Sequence, residues 1–280
     1  MKKSVQQIMI GTLTSTEERA SWTLQKVREF GFDAIELNGF MVRPTPMLVR
    51  LMTKAAGMPV GNGGKLNWPV LIQNAGLEVT SLHESLGAIK DDPKFIVSEA
   101  KKYNTDIVVV TGMYRFDYSD TESVQKLAED LNRSGKILQN DGIRLLYHNH
   151  NCEFQKVTED KSAFSILLEE TDPDFVNFEF DSYWAAEAGV DVIAFMQQLD
   201  NRIKLYHIND RGCRKKGPYT TPILKSDSME LGSGNMNLTA MVDQARSAGV
   251  ETVVLETHRN WIDKSPLKSI EVSSEFMKKI

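Results

Sequence analysis

Two of the five histidines in this sequence lie two positions apart, in the segment LLYHNHNCEF (145–154). The segment begins as an apolar run, and His148 and His150 follow it beside two asparagines, a cysteine and Glu153. Imidazole groups transfer protons near neutral pH and bind transition metals. The alternative is a structural polar patch at the end of a strand, in which the side chains are hydrogen-bonded to one another. The positions of the other three histidines help to decide between a functional site and such a patch.

The elements that must position these residues alternate regularly along the chain. Helical patterns such as 123–140 and 238–249 separate short β-rich segments. This order predicts an α/β fold with a parallel sheet closed as a (β/α)8 TIM barrel, with residues 1–280 as one domain. A doubly wound open sheet is disfavoured, because no glycine-rich phosphate loop follows the first segment. The predicted strands are 5–12, 33–39, 78–85, 106–112, 144–150, 176–182, 203–210 and 251–258.

Two connections are longer than the others. Residues 41–77 form an insertion after the second strand, and residues 211–237 form a long loop after the seventh. In a barrel both leave from the C-terminal face, where substrate loops lie. We therefore expect both to line the cleft, with Trp68, Arg211 and Lys215 as sugar contacts.

Every histidine falls at or near a predicted strand end. His83 lies near the end of the third predicted strand, and His148 and His150 lie at the end of the fifth. His207 lies near the end of the seventh and His258 at the end of the eighth. The carboxyl ends of parallel barrel strands meet at one face. All five histidines are therefore expected to gather at the catalytic face.

Strand alternation predicts which side chains point into the barrel. In VNFEFDS, Phe178 and Phe180 suit the helix layer, while Asn177, Glu179 and Asp181 face the interior. Buried ionisable groups are costly unless they are paired or bound to a metal. Any one of them alone could be a hydrogen-bonded structural residue. Together they favour a divalent metal site, and the set expected at this end is Glu36, His83, His148, His150, Asp181, His207 and Glu256.

Composition excludes some functions. The chain has 280 residues and a formal net charge of −5, which argues against a nucleic-acid-binding surface. No apolar stretch approaches the about 18 to 20 residues of a membrane span. Two cysteines are too few for a disulfide framework, so a reducing compartment is expected. The predicted location is cytoplasmic, or periplasmic if a signal peptide has been removed.

Several segments together resemble the sugar phosphate isomerase/epimerase family, which has the xylose-isomerase-like barrel. The matching segments are YHNHNCEF, FEFDSYWAAEAGVD, RIKLYHIND, LGSGNMN and VVLETHRNW. The resemblance implies one divalent metal (Mn, Zn, Co or Mg), with Asp181, His207 and Glu256 as ligands. The fourth ligand in such proteins is a glutamate on strand five. Here the matching position is His148 and the nearest carboxylate is Glu153, and both remain candidates.

The resemblance also implies chemistry on a carbohydrate. A base removes a proton beside a metal-polarised carbonyl, and reprotonation then gives isomerisation or epimerisation. The predicted catalytic residues are His150, His148 and Glu256. The HNH cluster also leaves lyase, dehydratase or hydrolase-like outcomes open. The expected substrate contacts are Glu36, His83, Asn209, Arg211 and Trp68.

Three further expectations concern other classes of protein and assembly. A non-catalytic sugar-binding barrel is the alternative from outside the enzymes. An endonuclease-IV-like enzyme is disfavoured, because Trp184 stands where such enzymes need a histidine and the chain is acidic. A homo-oligomer is compatible with the sequence, and no nucleic-acid or membrane partner is expected.

Overall fold

Eight parallel strands close into a barrel in the computed structural model of the chain. The model describes residues 1–45, 47, 50, 51, 64–214, 217, 218 and 220–280. The strand order around the barrel is β1-β10-β7-β6-β5-β4-β3-β2. The barrel strands are β1 (Lys2–Gln6), β2 (Ala34–Asn38), β3 (Glu78–Glu84), β4 (Ile107–Thr111), β5 (Arg144–His148), β6 (Val176–Asp181), β7 (Ile203–Ile208) and β10 (Thr252–Leu255). The predicted TIM barrel is confirmed.

Helices follow the strands and cover the outside of the barrel. Side chains cap many of their first turns, as Thr16 does for the helix that follows it. Gly31 and Gly249, at φ +97° and +83°, take the left-handed conformation just beyond two helix ends. The α-helices are α1 (Glu17–Glu29), α2 (Gly39–Val42), α3 (Trp68–Asn74), α4 (Leu86–Asp91), α5 (Pro93–Lys102), α6 (Thr121–Gln139), α7 (Ala163–Glu170), α8 (Ser182–Glu187), α9 (Val192–Leu199), α10 (Leu238–Ser247) and α11 (Pro266–Met277).

Short 3₁₀ helices occur at Gln7–Leu13, Cys152–Phe154, Asp200–Arg202 and Ile262–Lys264. In the part of the chain that the structure describes, no helix has both the length and the apolar character needed to cross a membrane.

The first strand is shorter than the sequence indicated. The prediction of a strand over 5–12 is wrong beyond Gln6, because Gln7–Leu13 is a 3₁₀ helix. The Gln6 side chain accepts a hydrogen bond from the backbone N–H of Ile8 at 2.9 Å, and the helix buries Met9 and Ile10. An apolar run of this length is compatible with a strand or with a helix. Here the hydrogen bond from Ile8 to the Gln6 side chain favours the 3₁₀ helix.

The long segment after β7 contains regular structure that the sequence did not indicate. Strands β8 (Asp210–Gly212) and β9 (Asp227–Met229) pair as an antiparallel hairpin. The Asp210 carboxylate accepts hydrogen bonds from four backbone N–H groups, at distances of 2.8 to 3.2 Å. The long loop predicted over 211–237 therefore contains one short hairpin. The four donors are Arg211, Gly232, Gly234 and Met236.

The insertion after β2 is described only in part. Its first residues belong to α2, and α3 lies near its end. Within the predicted insertion over 41–77, residues 46, 48, 49 and 52–63 lie outside the described residues, as does Lys215. The place of these residues relative to the cleft stays a prediction.

The interior of the barrel is layered. Leu146 and Leu205 lie two residues before His148 and His207 on the same strand faces, and they join Ile107 and Val109 in a small buried apolar cluster. Layers of branched side chains normally fill a TIM barrel in this way. A layer of charged and polar groups lies directly above this cluster, towards the carboxyl ends of the strands.

Gly135 in α6 allows a close approach between that helix and the segment before β6. A Cβ at this position would overlap the carbonyl oxygen of Phe175. We expect Gly135→Ala to lower the free energy of unfolding by about 1 to 3 kcal/mol, because overpacking outweighs alanine's better helix propensity. Urea denaturation measures this change.

Gly87 in α4 offers the matched control. Its Cβ would meet only Ser85 Oγ, at 3.9 Å. Gly87→Ala should leave stability unchanged or raise it by up to about 1 kcal/mol. Equal midpoints for the two variants would contradict the close approach at Gly135.

Candidate active site

The carboxyl ends of the strands bring seven ionisable side chains together. The parallel register places His148 beside Glu179 and Asp181 beside His207. All seven are buried, with exposed fractions of at most 8%. They are Glu36, His83, His148, Glu179, Asp181, His207 and Glu256. They form two groups that share His207. Within each group the ligand atoms lie within 4.8 Å of one another and could hold a metal ion.

The inner group comprises Glu36, His83, Glu179 and His207. His207 Nε2 lies 2.6 Å from Glu36 Oε2 and 3.2 Å from Glu179 Oε2. His83 Nε2 lies 3.0 Å and 3.1 Å from the same two oxygens. This is a compact cluster of two carboxylates and two imidazoles.

Charge explains the protonation of the inner group. Burial lowers the pKa of His83, but Glu36 and Glu179 outweigh that effect and raise it to about 10. Burial raises the pKa of Glu179, but His207 and His83 bring it well below its usual range. Burial likewise lowers the pKa of His207, and the carboxylates Glu179 and Glu36 raise it well above normal. These pKa shifts favour the charged forms of His83, Glu179 and His207.

The outer group comprises His148, Asp181, His207 and Glu256. His207 Nδ1 lies 2.8 Å from Glu256 Oε2 and 3.9 Å from Asp181 Oδ2. Asp181 Oδ1 caps α8 by accepting the N–H groups of Tyr183 and Trp184, at 2.7 and 3.2 Å. Its second oxygen, Oδ2, is buried and has no hydrogen-bond partner among the described residues.

The unpaired Asp181 oxygen is the best test of whether a metal fits. Burial raises the pKa of Asp181, and the nearby His148 and His207 only partly oppose this. A buried carboxylate oxygen without a partner is costly. Two imidazoles and two carboxylates form a donor set that suits a divalent transition metal. The outer group therefore fits a metal.

Glu153 lies apart from both groups. Its carboxylate accepts hydrogen bonds from Tyr147 Oη at 2.7 Å, the His150 N–H at 2.9 Å and Cys152 Sγ at 3.2 Å. Tyr147 in turn is bonded to the hydroxyl of Tyr118 at 2.8 Å. The Glu153 side chain is fully buried. Its role as a metal ligand stays a prediction, although its oxygens are committed elsewhere in this conformation.

His150 lies at the mouth of the site and is partly exposed. Its ring is 5.1 Å from that of His148 and 5.6 Å from that of Trp184. Burial, with a contribution from His148, lowers the pKa of His150 to about 3. Each of the other four histidines is paired with a carboxylate, whereas no such pair involves His150 in the described part of the chain.

Aromatic side chains form one wall of the mouth. The ring of His258 stacks on Trp184 at 4.9 Å, and Tyr183 contacts His258 edge-on at 5.5 Å. Tyr183 Oη, Trp184 Nε1 and His258 Nε2 are buried without hydrogen-bond partners among the described residues. Arg259 also interacts with the Tyr183 side chain, so Trp184 Nε1 and His258 Nε2 are the clearest unpaired polar atoms of this wall.

The remaining predicted substrate residues are engaged elsewhere. Asn209 is buried and bonds to Ser228 Oγ at 2.8 Å, and Arg211 Nε donates to Glu187 at 2.6 Å. Trp68 is fully buried in the hydrophobic core. Glu36 and His83 contact His207 and each other in the inner group. Contact of these residues with a substrate stays a prediction.

Glu179 is the principal residue that the sequence reasoning missed. Alternation in VNFEFDS already placed Glu179 inside the barrel beside Asp181, but it was not included in the candidate set. Tyr183 and Trp184 were not predicted to lie beside His258. They belong to the first turn of α8, and strand alternation does not extend to such a turn.

The family profile for the xylose isomerase-like TIM barrel matches residues 24–280, a range that includes both groups and the aromatic wall. This chain belongs to the xylose isomerase-like TIM barrel family. The resemblance predicted from the sequence motifs is therefore confirmed.

Two proteins that are similar to this chain are named inosose dehydratase. One, from Mesomycoplasma hyopneumoniae strain 7448, is 35% identical over 94 residues, which is 33% of this chain and 30% of that protein. Another, from Geobacillus kaustophilus, is 24% identical over 203 residues, or 67% of this chain and 60% of that protein. The match thus spans less than two thirds of either relative.

Two solved structures share the xylose isomerase-like fold closely. A sugar phosphate isomerase/epimerase from Parabacteroides distasonis has a TM-score of 0.76 at 21% identity, covering 99% of this chain and 93% of that one. The IOLI protein with a bound zinc atom has a TM-score of 0.69 at 16% identity, covering 100% and 97%. At these identities the likeness concerns the fold.

Proposed function

We propose that this protein is a metal-dependent dehydratase of keto sugars or keto cyclitols. The observation that carries the proposal is the unpaired Asp181 oxygen, which lies in one buried group with His148, His207 and Glu256. The relatives named inosose dehydratase support this reaction class. The reaction removes a proton beside a carbonyl and expels a neighbouring hydroxyl group as water.

The outer group would hold the metal. A bound divalent ion polarises a substrate carbonyl and makes the adjacent C–H more acidic. Two imidazoles among four donors favour Zn²⁺, Mn²⁺ or Co²⁺ over Mg²⁺, which prefers oxygen ligands. The zinc atom in the similarly folded IOLI protein is consistent with this choice.

His150 is the proposed base. It lies at the mouth, and its ring has no carboxylate partner among the described residues, so a ring nitrogen can accept a proton from a substrate placed there. The C–H bond breaks, its electron pair forms an enolate, and His150 takes the proton. The C–O bond at the next carbon then breaks as a C=C bond forms. The departing oxygen takes the proton back from His150, so that the products are an unsaturated ketone and water.

The aromatic wall supports a polyhydroxylated substrate. Trp184 Nε1 and His258 Nε2 are buried polar atoms without partners in the described residues, and leaving such atoms unpaired is costly. Hydroxyl groups of a sugar or cyclitol would satisfy them. The faces of Trp184 and His258 add an apolar surface for the C–H groups of a ring.

Isomerisation or epimerisation, the outcome predicted from the sequence, shares the proton-removal step. In the decisive experiment the protein is incubated in D₂O with inososes, keto sugars and 3-keto glycosides, and the reaction is followed by ¹H NMR. Each incubation is carried out with and without a chelator. We expect deuterium at the carbon beside the carbonyl and loss of water, both abolished by chelation. Exchange with a new stereocentre or a moved carbonyl would favour an epimerase or isomerase. No exchange with any substrate would favour a non-catalytic sugar-binding barrel.

The fourth metal ligand can be assigned by matched variants. His148 belongs to the outer group, whereas Glu153 is bonded to Tyr147, Cys152 and the His150 N–H. We expect His148→Gln to weaken metal affinity by more than the about 10- to 100-fold that loss of an outer partner costs. Glu153→Gln should keep the affinity of the wild type. Competition with a chromophoric chelator measures both, and the reverse pattern would make Glu153 the ligand.

A further inference from the structure

The inner group contains two carboxylates that contact the proposed ligand histidines from below. Glu36 and Glu179 are fully buried, and Glu179 lies two residues before Asp181 on the same face of β6. Neither belongs to the outer group. Their position suggests a role other than direct contact with substrate, which was the role expected of Glu36.

His207 shows the first part of this role. Its Nε2 is 2.6 Å from Glu36 Oε2, and its Nδ1 faces Glu256 and Asp181 in the outer group. A carboxylate can only accept a hydrogen bond, so without a metal Nε2 donates to Glu36 and Nδ1, 2.8 Å from Glu256 Oε2, donates to Glu256. A metal in the outer group would replace the proton on Nδ1, because Glu256 belongs to that group, and the proton on Nε2 would stay with Glu36.

In His148 the other ring nitrogen, Nδ1, faces a carboxylate of the inner group. Its Nδ1 is 3.0 Å from Glu179 Oε2, so this nitrogen donates and Nε2 is left for a metal. Ligand histidines generally donate their second N–H to a carboxylate or carbonyl, which fixes the tautomer and the orientation of the ring. Two different ligand histidines here have such a carboxylate.

His83 lies between the two carboxylates as an ion-pair partner of both, while its Nε2 has no hydrogen bond of regular geometry among the described residues. Its Nε2 lies 3.0 Å from Glu36 Oε2 and 3.1 Å from Glu179 Oε2. The Ser81 hydroxyl also donates to Glu36. Each carboxylate is therefore fixed by groups from neighbouring strands before any metal binds.

We infer that Glu36 and Glu179, joined by His83, form a carboxylate layer that determines which ring nitrogen His207 and His148 present to the metal. This inference rests on the proposed metal site in the outer group. On this inference Glu36, His83 and Glu179 are positioning residues, and His148, the first histidine of the HNH segment, is a metal ligand.

Metal affinity provides the first test. Glu36→Gln and Glu179→Gln should each bind Zn²⁺ about 10- to 100-fold more weakly than the wild type, with the stoichiometry unchanged at saturation. Glu84→Gln is the matched control, since Glu84 is a buried carboxylate at the end of β3 that pairs with Arg43 instead. Equal affinity in all four proteins would overturn the inference. A wild-type stoichiometry of two that falls to one in both variants would instead make the inner group a second metal site.

Histidine tautomers provide a second test that does not need turnover. In zinc-loaded protein with ¹⁵N-labelled histidine, long-range ¹H–¹⁵N NMR should show protons on His207 Nε2 and His148 Nδ1. In the zinc-loaded Glu179→Gln variant, His148 should show a mixture of tautomers. A wild-type protein with the opposite tautomers would overturn the inference. Failure to bind any metal would contradict the proposed function and this inference together, whereas bound metal with the opposite tautomers would overturn the inference alone.

Discussion

Asp181→Asn is expected to abolish stoichiometric binding of a divalent metal. The substitution keeps an oxygen that can accept the N–H groups of Tyr183 and Trp184 at the start of α8, but removes the charge of the unpaired Oδ2. The loss should exceed the about 10- to 100-fold that removal of an outer partner causes. Elemental analysis of protein purified without chelators, followed by zinc titration, measures it.

Two further variants sharpen this prediction. Glu256→Gln should lose metal in the same way, since Glu256 belongs to the same group. Asp191→Asn is the control, because Asp191 also caps a helix, accepting the Ala194 N–H at 3.1 Å, but lies outside both groups. Stoichiometric metal retained in both Asp181→Asn and Glu256→Gln would exclude the outer group as the metal site.

His150→Gln should retain the fold and the metal but lose proton exchange beside the substrate carbonyl. General acid–base groups contribute about 10²- to 10⁴-fold, and a loss in proton transfer should appear mainly in kcat rather than in KM. Solvent deuterium exchange with the substrate found for the wild type is the measurement. The exposed neighbour Asn151 supplies the control, and Asn151→Ala should exchange at the wild-type rate.

The result for His150 also discriminates between bases. Unchanged exchange in His150→Gln, with metal retained, would move the base to Glu153 or His148. Exchange lost together with metal would show that His150 acts through the metal site. Only the loss of exchange with metal retained agrees with a proton-transferring residue at the mouth.

Strand alternation accounts for how much of the site was predictable. His148, Asp181 and His207 lie within strands, where side chains alternate between the two faces, so their convergence followed from the sequence. Glu256 lies one residue beyond β10, and its place was predicted only because the strand was expected to be longer. The same rule placed Glu179 inside the barrel. The sequence pattern that identifies the other inward-facing residues therefore identifies Glu179 as well.

Tertiary contacts account for what alternation could not predict. Glu153 lies in a short 3₁₀ turn, and its direction depends on the hydroxyl of Tyr147 and on the backbone of His150. The hairpin of β8 and β9 pairs segments separated by a long loop, so no local pattern indicates it. In the same way, the end of β1 depends on a side-chain hydrogen bond that an apolar run does not reveal.

The apolar cluster beneath the charged layer has a consequence for solvent access. Ile107, Val109, Leu146 and Leu205 are packed together at the centre of the barrel, with exposed fractions of 6% or less. Water and hydronium therefore reach the buried imidazoles through the mouth, past His150 and Trp184, rather than along the barrel axis. A ligand seated against that wall covers this route. In the exchange experiments proposed above, deuterium from bulk solvent would have to enter by this same route before it could appear in the substrate.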